Sequence, residues 1–88
     1  MTVNEKILEE AKRKNKHVVA LPIIVPDLET AKAISEFTWI KTKRGDYVVF
    51  LMQIAEDEER NKELHMANLI LYKYILRVTG YPSLKKEL

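Results

Sequence analysis

The stretch from Ala55 to Pro82 most constrains what this chain can become, because it reads as one long helix with two apolar seams. One seam runs Leu64, Ala67, Leu71, Tyr74, Val78 in alternating steps of three and four. The second, about a quarter turn round, runs His65, Leu69, Tyr72, Leu76. A surface helix needs only one apolar stripe to dock on its own domain. Two stripes predict that one packs on a sheet and the other on a second chain or another helix.

Length sharpens that expectation. The chain has 88 residues, read as one small domain over 1–82 with a flexible, charged tail at 83–88. Chains this short bury modest cores, and those without disulfides or metals often gain stability by oligomerising. There is no cysteine, which removes disulfides and thiolate metal sites. The charged residues are mostly Lys and Glu, and Gln53 is the sole glutamine, a balance in the direction of hyperthermophile proteins. The longest apolar run, Val18 to Val25, is too short to span a membrane and contains Pro22. Met1 to Lys16 is charged throughout, without the apolar centre of a signal peptide, so the expected location is cytoplasmic.

Local signals set the order of elements. Thr2 and Glu5 have capping-box spacing ahead of a short helix with Val3, Ile7, Leu8 and Ala11 on one face. Val18 to Val25 is a β-branched strand covered on both faces, and Pro22 places it at a sheet edge. Asp27 is an N-cap for a second short helix that turns Leu28, Ala31 and Ile34 inward. Phe37 to Lys43 alternates and leads through Lys43-Arg44-Gly45-Asp46, a tight turn, into the apolar strand Tyr47 to Ile54. Glu56 to Glu59 open the last helix with negative charge at the positive end of its dipole, and Thr79-Gly80 and Pro82 close it. The fold class is therefore α+β in the order α-β-α-β-β-α. Three helices pack with a three-stranded antiparallel sheet, its strands ordered second, third, first.

Catalytic constellations are weak. Four consecutive acidic residues on a helix point in four directions, so Glu56 to Glu59 do not converge on a cation alone. Pro26-Asp27 suits a nuclease of the restriction type, but the acidic-x-Lys partner is missing from Ile40-Lys41-Thr42-Lys43. His17 and His65 are widely separated, and Gly45 and Gly80 are the only glycines, so no phosphate-cradling loop exists. No catalytic residue, metal or cofactor is assigned, and the reading is non-enzymatic, with a metal-dependent hydrolase built on Asp27 as the lesser rival.

Charge and aromatics make a better case. Lys12, Arg13, Lys14 and Lys16 place four positive charges within five residues, and Trp39, Lys41 and Lys43 share one hairpin face with Arg44 at its tip. A flat aromatic beside cations on a strand suits phosphate neutralisation with base stacking. The alternative is that Trp39 is core and the lysines guard a sheet edge. The whole chain is only +2, but Glu56 to Glu59 gather four negative charges in one place, leaving +6 for the rest. The expected function is a small dimeric binding protein: nucleic acid contacts Lys12 to Lys16 and the hairpin, and the seam His65, Leu69, Tyr72, Leu76 joins a homodimer. Burying Leu69 and Leu76 is worth roughly 3–6 kcal/mol per chain at most. In the alternative, that seam binds a different protein, as an adaptor or inhibitor, and the lysines only solubilise.

Overall fold

The computed structural model describes residues 1–79. Thr2 opens α1 (Val3–Lys14) with the expected reciprocal cap: its hydroxyl accepts from the Glu5 N–H at 3.2 Å, and the Glu5 carboxylate accepts from the Thr2 N–H at 3.0 Å. Asn15 ends α1 in the left-handed region at φ 55°, a conformation its short polar side chain tolerates. The chain then enters β1 (His17–Val25), α2 (Leu28–Ile34), β2 (Trp39–Lys41), β3 (Tyr47–Ala55) and α3 (Glu58–Thr79). This is the α+β order read from the sequence. The closing signals at Gly80 and Pro82 and the tail Ser83 to Leu88 lie outside the described residues.

The sheet is antiparallel in the order β1-β3-β2, so β3 is central and Pro22 sits on an edge strand. β1 pairs along the whole of β3, from His17 opposite Ala55 to Val25 opposite Tyr47. β2 is short and covers only Tyr47 to Val49. The turn joining β2 to β3 is held by Thr42, whose N–H donates to the Asp46 carbonyl at 2.8 Å and whose hydroxyl donates to the Asp46 carboxylate. Gly45 supplies the positive φ of 100° that the turn requires.

Past the end of β2, the edge of β3 is closed by a side chain. Asn4, buried on α1, donates its amide to the Phe50 carbonyl at 2.6 Å and accepts from the Met52 N–H at 2.9 Å. One carboxamide thus stands where a further pair of strand residues would be. The buried residues of α1 are Asn4 and Ala11, while Val3 and Leu8 are exposed. The expected apolar face of that helix is rotated, because the Asn4 bonds, more than apolar burial, set how α1 lies on β3.

Alternation along the strands sorts the packing. On one face Val49 and Val25 pack with Ala31 of α2, joined by Ile23, Ile34, Trp39 and Tyr47. On the other face Val48 and Phe50 pack with Ile75 of α3, joined by Tyr72 and Leu76. Nearer its start, α3 places Leu64 against Val19 and Ala55, which alternate to the first face. α3 therefore runs along the outer side of β1, meeting one face of the twisted sheet early and the other late. Replacing Asn4 by Ala strips partners from a buried carbonyl and a part-buried N–H, each worth up to about 1–3 kcal/mol. Urea denaturation of N4A is expected to show a loss in that range per group, and a loss below about 0.5 kcal/mol would contradict the bridging role.

Candidate functional site

The residues singled out from the sequence fall on three separate surfaces. The basic run Lys12, Arg13, Lys14, Lys16 lies at the end of α1, which the chain brings beside the acidic start of α3. Lys14 Nζ stands 3.9 Å from Glu10 and 3.8 Å from Glu56, and Arg13 stands 3.8 Å from Glu10. Lys16 Nζ donates to the Glu56 backbone carbonyl at 2.8 Å. Exposed pairs of this kind stabilise little, but they set carboxylates inside the patch. The expectation of a bare phosphate-binding run does not account for Glu56.

The hairpin is at the far end of the sheet. Lys16 precedes His17, which pairs with Ala55, whereas Lys41 pairs with Tyr47 at the opposite end of β3. The two basic groups are about 26 Å apart along the strand and do not form one face. Lys41 and Lys43 are exposed, and Arg44 stands 3.0 Å from the Asp46 carboxylate. Trp39 is half-buried in the cluster with Val25, Ala31 and Val49. Its indole N–H donates to the Glu36 carbonyl at 3.2 Å, and its ring meets Tyr47 edge-on at 5.8 Å. Of the two uses weighed for Trp39, this placement is nearer the core one: α2 packs at Trp39 on the sheet face it shares with the lysines, and the ring stays partly exposed.

The acidic residues also have local work. Asp27 accepts from the Thr30 N–H at 2.7 Å as the cap of α2, and this bond holds its carboxyl below the usual aspartate value. Asp57 accepts from the Arg60 N–H at 2.8 Å at the start of α3. Among the described residues, no three His, Asp or Glu side chains gather where a metal ion could be held.

The long helix is where the structure departs most usefully from its sequence reading. The quartet His65, Leu69, Tyr72, Leu76 is divided. Tyr72 and Leu76 pack against the core cluster with Val48, Phe50 and Ile75, with the Phe50 and Tyr72 rings 6.3 Å apart. Burial raises the Tyr72 phenol above its ordinary value. His65 and Leu69 are exposed. The inward line is Leu64, Asn68, Leu71, Ile75, buried at Leu64 and Ile75 and partly buried between them, and Ile75, absent from both seams, is the most buried of the helix side chains described. The outward face instead gathers Met66, Leu69, Ile70 and Tyr74, exposed by 60, 59, 64 and 55 %. Tyr74 thus leaves the packed seam for the outer one, and Met66 and Ile70 join it.

Between α3 and the sheet lies an open groove of about 400 Å³ lined by Val18, Ala20, Met52, His65, Asn68 and Tyr72. The Asn68 Oδ1 atom is buried there without a hydrogen-bond partner. No protein-family model matches the chain, and neither curated proteins nor solved structures give a match. Among the described residues, no helix is long and apolar enough to cross a membrane.

The caps set an acid limb of stability. Asp27 and Glu5 are both held below their usual values by bonds from backbone N–H groups made only in the fold. Their contribution is present above the unfolded-state values and is lost as pH falls through the lower folded-state values, below about pH 4. Asp27→Asn keeps a capping oxygen but removes one titrating group, so its melting temperature is expected to fall less steeply than wild type over that window. Parallel curves for the two proteins would remove Asp27 from the acid response.

Proposed function

We propose that this chain is a small non-enzymatic binding protein that acts as a homodimer, with the outward face of α3 as its contact surface. One observation carries the reading. Four large apolar side chains share the face of a 22-residue helix that its own sheet does not cover. Exposed apolar groups are ordinary when scattered, whereas a contiguous set on a rigid element marks an interaction surface. At about 1–2 kcal/mol for each half-buried side chain, two copies gain about 8–16 kcal/mol, comparable to the 4–15 kcal/mol that association costs. With gain and cost of similar size, the dimer of this reading is weak and reversible rather than obligate.

Leu76 anchors the core, so it does not belong in the test. Light scattering of the full chain across roughly 5–500 μM, where a weak reversible dimer would assemble, is expected to show a dimer. Leu69→Lys with Ile70→Lys is expected to give a folded monomer, with helical circular dichroism retained. A wild-type protein that stays monomeric throughout would end the homodimer reading.

A second reading concerns the hairpin. Lys41, Lys43 and Arg44 lie one strand length from Glu56, so the acidic start of α3 does not neutralise them locally. Contact with nucleic-acid phosphates at this tip is the use such a cationic end supports. Fluorescence anisotropy with a labelled duplex at low salt is expected to show binding that weakens steeply with salt. Lys41→Glu with Lys43→Glu should lower the salt slope by about two. Absence of binding at low salt would leave α3 as the sole working surface. Trp39 emission is expected to stay unchanged on binding, because its ring is engaged by Tyr47 and the sheet.

A further inference from the structure

The outward face of α3 is charged asymmetrically about its apolar centre. Ile70 is the midpoint. Met66 lies four residues before it and Tyr74 four after, while Glu63 lies seven before and Arg77 seven after. The line Glu63, Met66, Ile70, Lys73, Arg77 advances in steps of three, four, three and four, the spacing of a seam between two helices. Glu63 and Arg77 are exposed at its two ends, as are Glu59 before it and Lys73 within its later half. Arg60 lies 3.8 Å from Glu63, an exposed and weak pairing that leaves most of that side chain in water.

We infer that the partner on this face is a second copy of the chain, its α3 antiparallel to the first about a two-fold axis through Ile70. The inference rests on the reading of α3 as the contact surface and specifies what covers it. A two-fold places each residue opposite its mirror position about the midpoint. Ile70 then meets Ile70 of the second copy, Met66 meets Tyr74, and Glu63 meets Arg77, each pair occurring twice. A thioether against an aromatic ring is a favourable contact. Glutamate against arginine at both ends fixes register and direction. A parallel pairing would set Glu63 against Glu63, Lys73 against Lys73 and Arg77 against Arg77, so repulsion between like charges opposes it. The helix dipoles favour the antiparallel choice as well. Leu69 borders these facing pairs on one side and shields them from water.

The chain has no cysteine, so a single introduced thiol reports its own neighbour. Ile70→Cys in the full chain is expected to give a covalent dimer under mild oxidation, because facing positions on the axis come within disulfide reach. Met66→Cys and Tyr74→Cys, each alone, should cross-link poorly, and their equimolar mixture should give the mixed dimer. Glu63→Arg and Arg77→Glu are each expected to weaken the dimer about tenfold at low salt, and the double exchange to restore it. Circular dichroism monitors folding in every variant. A dimer in which Met66→Cys and Tyr74→Cys each self-link and the mixture shows no preference would overturn the antiparallel arrangement while leaving α3 as the contact. A dimer unaffected by Leu69→Lys with Ile70→Lys would overturn both.

Discussion

The structure depends on satisfying β3 on every side. Its nine residues are apolar on both faces, and as a central strand it carries two rows of backbone groups that need partners. β1 supplies one row along its full length. β2 supplies only three residues of the other, and Asn4 extends it with a side-chain amide that bonds the Phe50 carbonyl and the Met52 N–H. The two faces take α2 and the later part of α3. Each helix therefore has its place fixed by a particular need of one strand: α1 by an edge, α2 by a face, and α3 by a face together with the outer side of β1.

That dependence explains what could be read from the residues and what could not. The strand read as Tyr47 to Ile54 is legible because a nearly continuous apolar run of strand length bounded by turn residues has few other uses. The caps at Thr2 and Asp27 are legible because they are local, with donor and acceptor three residues apart. Asn4 is not. In a charged helix it reads as one more solvated polar side chain, and its partners are 46 and 48 residues away. The only hint is a poor helix former placed well inside a first turn. Trp39 is half legible: alternation sets it correctly beside Lys41, but nothing local shows that α2 returns over that position.

The long helix shows how one polar residue can mislead a pattern. Its packed line passes through Asn68, with Leu64 four residues before, then Leu71 and Ile75 after. Stepping between apolar residues avoids the asparagine and shifts the seam to Ala67 and Tyr74, which moves Tyr72 and Leu76 to an outer seam they do not occupy. Asn68 is at the same time the group whose buried oxygen has no partner. A buried amide that breaks the apolar line and gains no bond in return carries a cost, since an unpaired buried acceptor loses its water without compensation. The open groove beside it is a place where the packing of α3 on the sheet is incomplete.

Size gives the outward face of α3 its meaning. Among the described residues the buried hydrophobic side chains are mostly small: Ala11, Ala31 and Ala55 with Val19, Val25, Val48 and Val49, joined by three larger ones, Phe50, Leu64 and Ile75. The larger apolar groups Met66, Leu69, Ile70 and Tyr74 stand outside on one helix. A sheet of three strands with one strand of three residues is too narrow to cover a 22-residue helix on more than one side. Apolar burial in so short a chain is limited by surface-to-volume ratio, and the remedy open without disulfides or metals is a second surface. Helix length does what core size cannot. α3 extends about 33 Å, close to the longest dimension of the molecule, so its free face is a straight platform as long as the fold itself. In the proposed dimer, pairing two such platforms would add a second apolar layer at an element whose position is already fixed on its other side.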